Sequence, residues 1–81
     1  MKEKIIDKLQ VLEPKLIDVK DVSFYHKGHN GWKEGGETHF ELLISSDKFK
    51  GLLKLECHKL IYKILAEEMK SIHALAIKLV D

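Results

Sequence analysis

Five histidines and one cysteine are the side chains of this 81-residue sequence whose chemistry is least easily explained as packing. His26 and His29 stand three residues apart in a glycine-rich stretch, a spacing that suits two ligands to one metal, although solvated loops often carry histidines without function. His39 alternates with Phe40 in a strand-like run, which predicts a partly exposed ring. His58 adjoins an apolar helical stripe, which predicts a structural hydrogen bond. His73 opens the last strand-like segment and by itself reads as a boundary residue. Cys57 falls inside the helical stripe, where a free thiol behaves as a small hydrophobe; a reactive thiol needs an electropositive, accessible setting. One cysteine closes no internal disulfide and cannot alone supply a thiolate cluster or a Cys-rich zinc site. The sequence has no GxSxG, P-loop or HExxH pattern and no paired carboxylates in a catalytic setting, which argues against an enzyme.

These residues must be held by a small fold. Composition is ordinary for a globular protein, 44% hydrophobic and 33% charged, and the length suits a single domain over residues 1–81. A chain this short buries only about 60% of its unfolded surface, so nearly every apolar residue is needed for one core. The 14 basic and 13 acidic residues leave a net charge of +1, which gives little footprint for DNA or an anionic membrane. No apolar stretch approaches the ~18–20 residues that span a bilayer, so no membrane partner is expected. The opening MKEKIIDKL is not a basic segment followed by an apolar run, and with one cysteine it predicts a reducing, cytoplasmic setting.

Periodicity places the elements. Ile5, Ile6, Leu9 and Leu12 recur at helical spacing, and Pro14 ends that helix near Leu12 or Glu13. Residues 16–23 alternate as a strand, with Phe24 and Tyr25 extending or capping it. Residues 26–37 hold four of the five glycines and two of the histidines and read as a polar loop. Residues 38–45 form a second strand, with Phe40, Leu42 and Ile44 on one face, so the two strands make an antiparallel hairpin with a long tip. Ser45, Ser46 and Asp47 supply cap chemistry for a short turn. A helix is expected from Leu52 to about Lys70, with Leu53, Cys57, Leu60, Ile61, Ile64, Leu65 and Glu68 on one side. Residues 72–80 alternate as a third strand, nearly apolar on both faces. The order helix, strand, strand, short turn, helix, strand predicts an α+β fold. A three-stranded mixed sheet carries both helices on one face, with the long helix as a crossover that makes the second and third strands parallel.

Two nucleic-acid signals are present and both are weak. Gly28-His29-Asn30-Gly31 matches the Gly-x-x-Gly clamp of KH domains, but there the loop joins two helices, whereas here it tips a hairpin. Lys48, Lys50, Lys54, Lys59 and Lys63 could meet phosphates, yet Glu56 and apolar residues are interleaved with them, and a solvated helix face explains them as well.

Five ordered motifs carry a resemblance: Gly36-Glu37-Thr38-His39-Phe40, Ser46-Asp47-Lys48-Phe49-Lys50-Gly51, His58-Lys59-Leu60-Ile61-Tyr62, Leu65-Ala66-Glu67-Glu68 and Ile72-His73-Ala74-Leu75-Ala76. Together, over essentially the whole chain, the sequence resembles the BolA family, and its loop is similar to the histidine-bearing subgroup. The resemblance implies a class II KH-like fold and a monothiol glutaredoxin partner, with which a BolA-like protein shares a [2Fe-2S] cluster. The partner gives its cysteine and a glutathione thiolate. The BolA side gives the histidine matched here by His73 and a loop residue matched by His29, with His26 as the alternative. Two imidazoles opposite two thiolates raise a cluster's potential, as in Rieske centres, and imidazole ligation is pH-sensitive because the ring must be deprotonated. On this reading the free protein is a monomer and holds no cofactor alone. The family's arginine-histidine-arginine run reads Cys57-His58-Lys59 here, which weakens an implied DNA-binding regulatory role through Lys48, Lys50, Lys54 and Lys59.

Overall fold

The first helix stops where its backbone is forced to. In a computed structural model, which describes residues 1–26 and 36–81, α1 (Lys2–Leu9) buries Ile5 and Leu9 and tightens into a 3-10 turn over Gln10–Leu12. Glu13 then adopts a left-handed φ of 48° just ahead of Pro14, so no further helical turn is available. The expected end near Leu12 or Glu13 holds, with the last turn 3-10 rather than α.

Three strands follow in chain order and lie in that order in the sheet: β1 (Leu16–Asp21), β2 (His39–Ser45) and β3 (Ala74–Leu79). β1 runs antiparallel to β2 with Val19 opposite Leu42. β3 runs parallel to β2 with Phe40 opposite Leu75 and Leu42 opposite Ile77. That register puts Phe40, Leu42, Ile44 and Leu75 on the helix-covered face, where all four are buried.

Between β2 and β3 the chain makes a 3-10 turn (Asp47–Phe49) and α2 (Lys54–Ile64). Ser46 caps the turn: its hydroxyl accepts from the Lys48 N–H and donates to the Leu12 carbonyl, tying the end of α1 to the end of β2. At the start of α2, Glu56 Oε1 accepts from the Leu53 N–H at 2.9 Å. Leu53 itself is 71% exposed, against its expected place in the core stripe, because it precedes the first helical turn and is not carried on the buried face. Tyr62 Oη donates to the Leu75 carbonyl at 3.1 Å and fixes α2 on β3.

The second helix is shorter than expected. It ends at Ile64, Leu65 leaves the helical region at φ −94°, ψ 18°, and a 3-10 turn (Glu68–Lys70) returns the chain to the sheet. A straight helix to Lys70 would run roughly 28 Å, past a seven-residue strand of roughly 23 Å. The turn at Leu65 instead buries Leu65, Glu68 and Ile72. Glu68 points Oε2 to within 3.6 Å of Lys8 Nζ on α1, while its Oε1 is buried with no hydrogen-bond partner among the described residues.

Ile5, Leu9, Phe40, Leu42, Ile61 and Leu65 form the centre of the core, between the sheet and both helices. Ile61→Ala removes a fully buried side chain from the α2 side of that core. It is expected to cost about 2–4 kcal/mol, seen in urea unfolding as a lower midpoint at an unchanged slope.

Candidate functional site

At the end of the sheet where β2 and β3 begin, one buried residue joins three segments. Thr38 is 2% exposed. Its carbonyl accepts from the His73 N–H at 2.8 Å and from the Ala74 N–H at 3.1 Å, and its own N–H donates to Ser23 Oγ at 2.9 Å. Ser23, 1% exposed, also accepts from the His39 N–H at 3.0 Å and opens a 3-10 turn over Ser23–His26. His73 thus leaves the strand end from a backbone held on both sides, while its side chain stands exposed.

His39 is buried at 4% exposure, not partly exposed as its alternation with Phe40 predicts. Its Nδ1 shares a 2.8 Å hydrogen bond with Thr38 Oγ1. Its ring lies with its centroid 5.2 Å from that of His73, tilted by 49°. Sequence reasoning missed this contact; the available signal was register, since His39 sits opposite Ala74, directly after His73.

Asp21, at the end of β1, clasps the two flanks of the segment between β1 and β2. Its Oδ1 accepts from the Ser23 N–H and its Oδ2 from the Glu37 N–H, both at 2.9 Å. Gly36 approaches that carboxylate so closely, at φ 83°, that a Cβ would stand 3.0 Å from Oδ2, so glycine is required there. Burial pushes the Asp21 carboxyl up, but the bonds from Ser23 and Glu37, with the amino-terminal charge, outweigh it and hold the carboxyl below its ordinary value.

The sequence-predicted residues distribute as follows. His73 is at this sheet end. His26 closes the 3-10 turn that Ser23 pins to the same end. His29, with the Gly-x-x-Gly pattern, lies outside the described residues. His58 is on α2, and its Nε2 finds no hydrogen-bond partner among the described residues, so the expected structural bond is not made there. Cys57 is 2% exposed, as expected of a core thiol, and lines a groove of about 700 Å³ at the opposite end of the sheet, with Ser45 and Leu79. Among the described residues no three His, Cys, Asp or Glu side chains gather as a metal site. Of the lysines proposed for nucleic acid, Lys50 and Lys54 line that groove, Lys48 lies 3.3 Å from Glu13, and Lys59 is exposed on α2. Asp47, held below its ordinary pKa by Lys15 and Lys50, occupies the same groove. Among the described residues no helix is long and apolar enough to cross a membrane.

Comparison with known proteins agrees with this arrangement. The family described as BolA-like protein matches residues 9–80. The chain belongs to the BolA-like family. It is 45% identical over 71 residues to SufE-like protein 1, chloroplastic/mitochondrial, of Arabidopsis thaliana, covering 82% of this chain and 19% of that protein. To the DNA-binding transcriptional regulator BolA of Escherichia coli it is 37% identical over 79 residues, covering 95% and 71%. The solved BolA domain of SufE1 from Arabidopsis thaliana superposes with a TM-score of 0.84 at 44% identity, over 96% of this chain and 87% of that one. The chain spans less than half the length of several curated relatives. In this BolA-like domain the BolA motif residues Thr38, His39 and His73 are therefore neighbours in space as well as marks in sequence.

A carboxylate whose folded pKa is lowered stabilises the fold above its ordinary pKa and loses that contribution as pH falls through the folded value. Asp21→Ala is therefore expected to cost about 1 kcal/mol at neutral pH, two charged hydrogen bonds discounted for solvent exposure. In urea unfolding the gap from wild type should close as pH drops below about 4; a gap constant from pH 7 to pH 2 would contradict the clasp.

Proposed function

We propose that this BolA-like domain is a non-enzymatic adaptor that binds a monothiol glutaredoxin with its glutathione and shares a [2Fe-2S] cluster with it, in iron-sulfur cluster assembly or trafficking and iron homeostasis. The observation that carries this reading is His73: an exposed imidazole on a backbone fixed by Thr38, backed by the buried ring of His39. The donor set fits such a shared cluster. An accessible imidazole is present, and the thiol of Cys57 is buried in a groove at the other sheet end, so the described residues offer one nitrogen ligand and no thiolate. His73 and one loop histidine, His29 or else His26, would hold the cluster from this side. When bound, the cluster supplies one-electron redox chemistry or is itself the cargo. The domain's own residues orient: Thr38 sets where His73 leaves the backbone, and His39 limits the volume its ring can sweep. The reading goes with a cytoplasmic, reducing setting and a monomeric free protein.

The test is spectroscopic. With a monothiol glutaredoxin, glutathione, iron and sulfide, the wild type is expected to give the visible circular dichroism of a mixed imidazole–thiolate cluster. His73→Ala should change that spectrum toward the partner's own all-thiolate form. Identical spectra would remove His73 from the ligand set, while His29→Ala and His26→Ala decide which loop histidine ligates.

A second reading, a DNA-binding transcriptional regulator, draws support from the groove at the other end. Lys15, Lys50, Lys54 and Lys78 line it beside the start of α2, and the Escherichia coli relative carries that function in its name. Against it, Asp47 already engages Lys15 and Lys50, and the net charge is only +1. Duplex titration at two salt concentrations separates the readings, since phosphate contacts give a counterion-release slope; absence of binding at low salt excludes this one.

A further inference from the structure

We propose that Phe24 and Tyr25 are the anchor on which the thiolate-bearing partner seats when it meets His73. This rests on the shared-cluster reading and adds to it the surface that surrounds the ligand.

Both rings are strongly exposed, Phe24 at 79% and Tyr25 at 78%, more than any other large apolar or aromatic side chain among the described residues. They meet edge to face, with centroids 6.1 Å apart and planes at 79°. The turn that carries them is not loose. Ser23 Oγ is bonded to the N–H groups of Thr38 and His39, the Ser23 N–H donates to Asp21, and the Tyr25 N–H donates to the Val22 carbonyl at 3.0 Å. Two large rings held in water on a fixed turn are what interface anchors consist of, since little freedom remains to be lost on binding.

Their place decides the occupant. Thr38 is bonded through its N–H to Ser23 and through its carbonyl to His73, so the aromatic turn and the imidazole hang from the two backbone groups of one residue. Any thiolate reaching His73 comes from outside these 81 residues, because Cys57 is buried at the other end of the sheet. A protein that places a thiolate on the metal that His73 ligates lies over this sheet end, and the turn carrying Phe24 and Tyr25 is bonded to the same residue, Thr38, that holds His73. Leu53 and Leu55, exposed at the start of α2 beside the far groove, have no such continuity.

The experiment measures binding of the full chain to a monothiol glutaredoxin with glutathione by calorimetry, with and without cluster. Phe24→Ser/Tyr25→Ser is compared with wild type, with Phe24→Glu and with the control Leu53→Ser/Leu55→Ser. The double serine variant is expected to bind at least tenfold more weakly in both states, with an unchanged unfolding midpoint. At saturating partner it should still show the wild-type cluster spectrum, because His73 is intact. Phe24→Glu should also weaken binding tenfold or more, and the control should bind as wild type does. Wild-type affinity in the double serine variant, or an equal loss in the control, overturns this surface while leaving the shared cluster standing. Wild-type protein that does not associate at all, or a His73→Ala spectrum equal to wild type, overturns the shared-cluster reading and this surface with it.

Discussion

The carbonyl of Thr38 takes two hydrogen bonds from the chain entering β3, while the N–H of the same residue is given to the hydroxyl of Ser23. The described part of the candidate site hangs on that buried residue. A polar group withdrawn from water and left unpaired costs about 1–3 kcal/mol, so the arrangement that satisfies all of Thr38's groups is strongly preferred over any that frees one. It fixes where β3 begins relative to β2, sets the parallel register that brings Phe40 opposite Leu75, and holds His73 at the strand end. The Thr38 hydroxyl continues the same network to His39, whose ring then lies against His73. Position of the exposed imidazole and closure of the core are consequences of one set of bonds.

Local patterns were enough to read the elements but not to place every end. Pro14 marks the end of α1 because a proline acts through its own ring and its immediate neighbour, which are sequence-local effects. The alternation of Ile17 and Val19, and of Phe40, Leu42 and Ile44, gave both strands of the hairpin for the same reason. The end of α2 is a different matter. Leu65 and Ala66 have good helix propensity and Glu68 continues the face, yet the chain turns at Leu65 because β3 must start beside Thr38. That constraint comes from the length of the sheet, which no window of helical sequence contains. Leu53 fails similarly: its spacing suits the stripe, but it lies ahead of the first turn and faces water.

Site legibility followed the same division. His73 could be named from its motif, but the partnership of His39 with it depends on a parallel register between segments 34 residues apart, and alternation alone placed His39 on the exposed face. What alternation cannot see is that at the end of that face the His39 ring meets Thr38 Oγ1 and the His73 ring. Asp21 was unremarkable in sequence, one of two aspartates on a strand. Its role arises because β1 ends where the chain re-enters β2, so that a single carboxylate reaches N–H groups on both flanks and Gly36 must be glycine to let it.

The position of Cys57 turns a count into a spatial argument. A single cysteine excludes self-sufficient cluster ligation by arithmetic, but it would still allow one thiolate beside the histidines if the fold brought it there. The fold does the opposite. Cys57 sits on the first half of α2, 2% exposed, against the ends of β2 and β3 that lie farthest from Thr38. Carrying its sulfur to His73 would mean crossing the length of β2, roughly 23 Å, and lifting α2 off the core made by Ile61 and Leu65. The cost of exposing those two side chains alone, about 1.5–3 kcal/mol each, is a large fraction of the stability of a domain of this size. Lys15, Lys50, Lys54 and Lys78 line the groove at that same far end, so groove and thiol lie apart from the imidazole and the exposed aromatics. A partner that recognises one end has no reason to touch the other, and for that reason ligation through His73 and any contact of the groove with an anion are separable by mutation.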